Sequence, residues 1–452
     1  MKVVAAALSP ALELRRESIL QGEKVSGPVV ADVRGRVEGG QNTVGAIAFD
    51  ALALDAHLRQ ALVTVRSLGR RGLAVAALDS FRNVPAFSSR WCQRAFVCPA
   101  DEATDAYLAY LEQLLGRLGT RVLIPSADQT IALLRKYRAR VEQHVRIALA
   151  DEAAMAIAVN KERTLAVAQR LGLAIPRSVV VRAVDEVPGA LREMGLPAVV
   201  KPTESWLWDG QGGARVASEL ATTPDEARRA VGALTRLGGV ALFQELLSGR
   251  REAVSLLYSK GQIYARFAQW AKRTEPPLGG QSVLRQSIAV PPDIGDQTER
   301  LVREINLEGY SEVEFRRDGA GIPYLMEINP RLSASVEIAV RSGVDFPSLL
   351  YQWANGGPID RVQGYRVGVW MRHLQGDLMT TITTLQQRGR PGVAPPVQAL
   401  LGFGLSFFKP MKYDYMDWHD PLPAVKATTD FVRTSVKRAL RKTRPGLRKD
   451  GS

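Results

Sequence analysis

Glu312-Val313-Glu314-Phe315, then Arg317-Asp318-Gly319-Ala320-Gly321-Ile322, then Met326-Glu327-Ile328-Asn329-Pro330-Arg331 is the stretch that decides how this chain is read. Its flanks alternate polar and apolar residues around a Gly-rich middle, a pattern that predicts a β-hairpin. With the turn symmetric about Ala320 and Gly321, Glu314 lies opposite Glu327 and Glu312 opposite Asn329. Opposed residues share a face. One face therefore carries three carboxylates and a carboxamide, and the other carries Val313, Phe315, Met326 and Ile328. Like charges opposed across a ladder are unfavourable unless something positive sits between them. A hard divalent cation with oxygen ligands, Mg²⁺ above all, is the natural partner and is usually shared with substrate phosphates. The alternative is a solvated hairpin whose polar face looks at water.

Elements upstream sharpen the choice. Residues 155–172 read as an amphipathic helix containing Asn160-Lys161-Glu162-Arg163 and stopped by Gly172. Leu196 to Pro202 is a short apolar strand that delivers Lys201 at its end. Asp209-Gly210-Gln211-Gly212-Gly213 is a flexible loop, and residues 240–247 form an apolar strand running into the polar hinge Gln244-Glu245-Leu246-Leu247. Taken singly, Lys161 reads more readily as a surface lysine and turns need glycine for many reasons, whereas Lys201, ending an apolar strand before Pro, is placed at a sheet edge near ligands.

In this order, a lysine on a helix, a lysine after a strand, a glycine loop, a hinge and an acidic hairpin ending in Asn-Pro-Arg, the chain resembles the ATP-grasp superfamily over about residues 43–360. Within it, the chain resembles the group that holds biotin carboxylase, carbamoyl-phosphate synthase and the carboxylate–amine ligases. The resemblance implies that Lys161 and Lys201 hold the phosphates of ATP and that Gly210, Gly212 and Gly213 let the loop backbone approach them. It implies that Gln244, Glu245 and Leu247 belong to the adenine hinge, with Glu245 or Glu252 for the ribose hydroxyls. Glu314, Glu327 and Asn329 match the metal ligands, for Mg²⁺ with Mn²⁺ as the alternative, and Glu312 has no firm counterpart. Arg331 matches an arginine facing the anionic substrate and is expected to be catalytic. The loop departs from the commoner Gly/Ser-rich form, because Trp206, Leu207 and Trp208 precede it.

The fold expected is α/β: a small doubly wound N-terminal domain (43–152) after a tail (1–42), an ATP-grasp domain (153–360) and an extension with a basic tail (361–452). In the first domain, residues 43–49 and 73–78 read as strands and 57–71 as a helix. Asp79 invites a dinucleotide reading, but no G-x-G-x-x-G follows the first strand, which argues against NAD. Ser126 and Asp128, at a strand's carboxyl end, are candidate contributors to the acceptor site. Residues 263–290 read as a segment shaping specificity, an irregular Pro/Gly-rich loop between strands with Trp270, Lys272 and Arg273, and with Arg285, a candidate catalytic residue, in the strand-like run 282–286. The bland reading of Lys272 and Arg273 is solvated charge.

Composition sets limits. The 452 residues suffice for two or three domains, and 46% hydrophobic with 23% charged residues is ordinary for a globular chain. Two cysteines argue against a disulfide framework and for a reducing compartment, and four scattered histidines form no triad or metal spacing. The apolar run at the N-terminus is too short to span a membrane and resembles a signal peptide only weakly. The formal charge is +14, and residues 431–452 carry half of it, eight Lys or Arg against Asp450. Residues 391–408 carry no charge and include Phe403, Phe407 and Phe408. These features suggest a cytoplasmic protein with peripheral contact to anionic membrane through 391–452. Nucleic acid is disfavoured, since the aromatic residues lie away from the basic run and no known motif appears. The function expected is an ATP-dependent ligase that activates a small carboxylate as an acyl phosphate for attack by an amine, with a homodimer as the candidate assembly. The alternatives are a bicarbonate-activating enzyme and a non-enzymatic binder of anionic surfaces.

Overall fold

In the computed structural model, which describes residues 29–31, 48–99, 104–208 and 213–442, three larger sheets and a two-stranded ribbon are found among the described residues. The first contains β1 (Val29–Ala31), β2 (Ala51–Leu54), β3 (Val75–Asp79), β4 (Arg94–Val97), β5 (Val122–Ile124) and β6 (Arg146–Ile147), ordered 1-4-3-2-5-6. Strands β2 to β6 are parallel, and β1 lies antiparallel on the edge. Parallel strands are covered on both faces, which is why Ala51-Leu-Ala-Leu54 is apolar throughout and wholly buried. Helices Arg59–Arg70, Thr104–Arg117 and Asp128–Lys136 supply that cover. The first parallel strand, β2, begins at Ala51, after the 43–49 segment expected; residues 43–47 lie outside the described residues. Strand β1 falls inside the segment expected to be a tail. Asp79, the residue that invites a dinucleotide reading, accepts hydrogen bonds from the backbone of His57 at 2.7 Å and of Phe81 at 2.9 Å.

The second sheet is a small antiparallel unit ordered 11-8-12-7, from β7 (Ser178–Val181), β8 (Ala198–Pro202), β11 (Glu219–Ala221) and β12 (Ala241–Glu245). Helices Val187–Met194 and Pro224–Thr235 close its own core of Val181, Val200, Val231 and Phe243. Strands β9 (Trp206–Trp208) and β10 (Gly213–Arg215) form a separate two-stranded ribbon.

The third sheet has seven strands ordered 17-16-13-14-15-18-19. It comprises β13 (Arg251–Ser259), β14 (Gln262–Glu275), β15 (Gln281–Ile288), β16 (Gly309–Arg317), β17 (Pro323–Asn329), β18 (Trp370–Arg372) and β19 (Lys412–Tyr413). The hairpin register is the one expected, with Glu312 opposite Asn329 and Glu314 opposite Glu327. A bulge then shifts the pairing so that Phe315 faces Leu325. Leu325, fully buried, replaces Met326 in the apolar face, because an extra residue on one strand flips the side chains beyond it.

Three other expectations are corrected. The helix expected over 155–172 is broken into Glu152–Ala158 and Lys161–Arg170. Asn160 caps the second half by accepting from the Arg163 N–H at 3.0 Å, so Lys161 opens a helix instead of sitting inside one. In 263–290 the strand-like run at 282–286 is part of β15, but the irregular loop expected before it is confined to 276–280, because β14 runs on to Glu275. Residues 361–442 are built into the body: β18 pairs with β15, and helix Leu422–Lys442 packs on the turn Pro85–Ser88. Buried pairs pin that segment, including Arg66 Nε to Asp420 at 2.9 Å and Arg372 Nε to Asp377 at 2.6 Å. Residues 443–452 of the basic tail lie outside the described residues.

Candidate functional site

The third sheet aims its polar side chains at a cleft against the first and second sheets. Along this face, Glu327, Glu314, Ala253 and Gln269 occupy one row across four strands. Carboxylates tolerate that crowding only beside cations. Arg251, two residues along β13 from Ala253, donates Nη2 to Glu314 at 2.5 Å, and Lys161 Nζ lies 3.4 Å from Glu327. Asn329 Nδ2 meets Glu314 at 3.2 Å. Burial pushes the Glu327 carboxyl up, and Lys161, Lys201 and Arg251 together outweigh it, so its pKa lies below the ordinary value. Glu312 lies deeper, accepting from Gln269 Nε2 at 2.9 Å; burial, then Glu314, push it up to about 7.

The lysines reach this face from two elements. The Lys161 N–H donates to Thr203 O at 2.8 Å, which fixes the start of its helix against the end of β8. Lys201 Nζ donates to Gln244 Oε1 at 2.6 Å, across the β8–β12 pair. Burial, then Lys161 and Arg316, bring Lys201 down to about 8 despite the opposing pull of Glu327. Arg331 leaves the end of β17 and donates Nε to Asp128 Oδ1 at 2.5 Å. Burial pushes Asp128 up, but Arg331, Arg215 and Lys161 hold it at about 2. Asp128, Lys161, Trp206, Glu327, Asn329 and Arg331 line one cleft.

Of the residues expected at the site, Lys161, Lys201, Gln244, Glu314, Glu327, Asn329 and Arg331 are gathered here. Asp128 joins through Arg331, whereas Ser126 is buried behind it. Arg285 does not join. It lies on β15, separated from β16 by two strands, with its guanidinium wholly buried on Asp414. Glu252 is opposite Phe315, which puts it on the far face, where it pairs with Arg317 at 2.8 Å. Trp270 shares that far-face row. Arg273 is taken by Asp377 at 2.5 Å. Glu245 ends β12 and accepts from the Arg177 N–H at 2.9 Å; Leu247 follows in the hinge, half-buried. Gly210 and Gly212 lie outside the described residues. Gly213 opens β10 beside the Trp206 indole, which a Cβ would approach to 2.3 Å, so packing alone demands glycine there. Arg251 escapes sequence reasoning, because nothing local announces which strand will flank the hairpin.

Among the described residues, no three His, Cys, Asp or Glu side chains gather so as to hold a metal ion. The hairpin offers two carboxylates and a carboxamide. This donor set is all oxygen and already has Arg251 and Lys161 against it where a cation would lie, which fits Mg²⁺ completed by water and phosphate. No described helix is long and apolar enough to cross a membrane.

Comparison with known proteins bears on the fold that carries this site. Residues 241–376, from β12 to the helix after β18, match the family described as ATP-grasp in the biosynthetic pathway with Ter operon. A carbamoyl phosphate synthase large chain of Thermus thermophilus is 23% identical over 85% of this chain and 37% of its own length. The D-alanine–D-alanine ligase of Pseudomonas entomophila is 25% identical over 44% of this chain and 64% of its own. The chain thus spans less than two thirds of either relative. Among solved structures, the biotin carboxylase domain of Hydrogenobacter thermophilus 2-oxoglutarate carboxylase, in complex with MgADP and bicarbonate, superposes with a TM-score of 0.57. That match has 16% identity and covers 71% of this chain and 73% of the other. The chain therefore has the ATP-grasp fold, and its central part, residues 241–376, is similar to an ATP-grasp family.

Proposed function

We propose that this chain uses ATP to activate a carboxylate and joins it to an amine. The observation that carries the reading is the opposed pair Glu314 and Glu327, with Asn329 beside them and Lys161, Lys201 and Arg331 converging on the same cleft. Glu314, Glu327 and Asn329 would hold Mg²⁺, which when bound neutralises phosphate charge. Lys161 and Lys201 hold the phosphates from two sides, covered by the loop of Gly210, Gly212 and Gly213. Gln244 to Leu247 meets the adenine, and Glu245 remains the candidate for the ribose. Arg331, held by Asp128 at 2.5 Å, faces the carboxylate and the charge that develops on it.

In this reading a carboxylate oxygen attacks the terminal phosphorus of ATP and ADP leaves. The amine then attacks the acyl carbon, phosphate leaves, and the nitrogen loses its extra proton to form the amide. Phosphate replaces hydroxide as the leaving group, which makes the second step feasible at neutral pH. The likeness to a D-alanine–D-alanine ligase supports an amine acceptor. The likeness to carbamoyl phosphate synthase and to a biotin carboxylase domain supports the runner-up, in which bicarbonate is the acid activated. The proposal extends to a cytoplasmic homodimer touching anionic membrane through 391–452. Magnesium-dependent ADP release across pools of amino acids and small carboxylates, with and without bicarbonate, tests the chemistry. Release that follows an acid–amine pair supports the ligase; release that needs bicarbonate alone supports the runner-up.

A further inference from the structure

We propose that the ridge formed by helix Pro396–Leu405 and Phe407–Phe408, with the lysines beside Trp370, is a docking face for an anionic lipid bilayer. The inference gives the membrane contact named above a particular surface, and it is independent of the chemistry in the cleft.

The inner side of the helix is fixed. Arg273 Nη1 donates to Gly402 O at 3.1 Å, and the Arg372 guanidinium lies 4.4 Å from the centre of the Phe403 ring and 4.2 Å from that of Phe407. The outer side is anomalous. Val397, Leu400, Leu401 and Leu405 follow the i, i+3, i+4, i+8 spacing that ordinarily faces a core. All four are more than half exposed, and Phe408 just beyond is 86% exposed. Large apolar side chains on a soluble surface are ordinarily scattered singly, and a continuous ridge marks something that covers it. No charged residue interrupts 391–408, so the ridge has no polar contact of its own to offer a partner by ion pairing.

Cations stand at its margin. Lys409 Nζ is 5.0 Å and Lys272 Nζ 6.0 Å from the centre of the Trp370 ring, which meets the Trp270 ring edge-on at 5.7 Å. Neither lysine makes an ion pair among the described residues, and burial with Lys409 and Arg273 nearby pulls Lys272 below its usual value. Exposed like charges held together without a carboxylate call for an anion. An apolar ridge, indoles beside it and unpaired lysines next to them match hydrocarbon, headgroup zone and lipid phosphate in turn. The ten-residue helix would lie flat in the interface, as suits its length.

The test is co-sedimentation of the full chain with vesicles of phosphatidylcholine alone and of phosphatidylcholine with phosphatidylserine, at physiological salt. The intact chain is expected to pellet with the phosphatidylserine vesicles. The double variant Leu401→Ser/Phe408→Ser should lower its partition coefficient by about tenfold or more. Lys272→Gln/Lys409→Gln should remove the preference for phosphatidylserine. All these side chains are exposed, and unchanged melting temperature and elution volume check that the variants fold. Three results would each overturn the proposal. The intact chain stays in the supernatant with anionic vesicles; or both variants bind undiminished while removal of 443–452 abolishes binding; or Leu401→Ser/Phe408→Ser turns an oligomer into a monomer by light scattering without changing vesicle binding.

Discussion

Lys201 gives a pH signature that few other placements of the nucleotide would produce. Its pKa, ordinarily 10.5, is brought down to about 8 by burial first and then by Lys161 and Arg316. A triphosphate beside it would restore the protonated form, so binding should take up a proton wherever the free lysine is neutral. The sign follows: affinity is highest below pH 8 and falls as pH rises through it. With a free pKa near 8, protonation drops from about nine tenths at pH 7 to about one tenth at pH 9, which costs about tenfold in Kd, or ~1.4 kcal/mol. Calorimetry with Mg²⁺ and a non-hydrolysable ATP analogue, in buffers of different ionisation enthalpy, counts the protons directly. Lys201→Arg keeps its charge throughout and serves as the reference, which also subtracts titration of the analogue itself. An equal slope in both proteins, or no proton uptake at pH 9, would mean that Lys201 does not meet the phosphates.

Five further outcomes are expected. Glu327→Gln should abolish ATP turnover with circular dichroism and melting temperature retained; wild-type ADP production at saturating Mg²⁺ would remove Glu327 from the site. Lys161→Met should weaken binding of the analogue by about 1–3 kcal/mol, as loss of a charge-assisted hydrogen bond does, and calorimetry at pH 7 reads it. Val313→Ala, at a fully buried position, should cost about 2–3 kcal/mol of stability in denaturant titration while Kd for nucleotide is kept. Asp414→Ala strands Arg59, whose Nη1 lies 2.6 Å away, together with Arg285, and should destabilise by about 3–5 kcal/mol. Arg285→Met should likewise act through the melting temperature; lost turnover at unchanged melting temperature would return Arg285 to the chemistry.

The hairpin is legible because a period of two is short-range: once the turn is centred, alternation assigns every side chain to a face. Where a bulge breaks the period, as beyond Glu314, alternation points to Met326 and the fold uses Leu325. Arg331 and the two lysines are found through their order along the chain, which the fold converts into proximity. Arg251 and the Arg331–Asp128 pair depend on contacts 63 and 203 residues apart, and no local pattern encodes such register. Arg285 and Glu252 mislead for a related reason. Both lie in strands of the same sheet, but Glu252 falls on its far face and Arg285 two strands away from the hairpin, and pairing partners that the sequence does not name decide both placements. The long strand β14 resembles a loop in sequence because of Pro276, Pro277, Gly279 and Gly280, although these occupy only the tight connection between it and β15.

The central claim, that this cleft moves a phosphoryl group onto a carboxylate, is tested most directly with a carboxylate carrying heavy oxygen. Once the ADP-release screen has found a productive acid and amine, that acid is supplied labelled and the released phosphate is analysed by mass spectrometry. An acyl phosphate intermediate transfers one carboxylate oxygen to phosphate in each turnover, so heavy phosphate should match ADP in amount and be lost in Glu327→Gln. Phosphate that carries no label, with ADP still released and amide still formed, would contradict carboxylate activation.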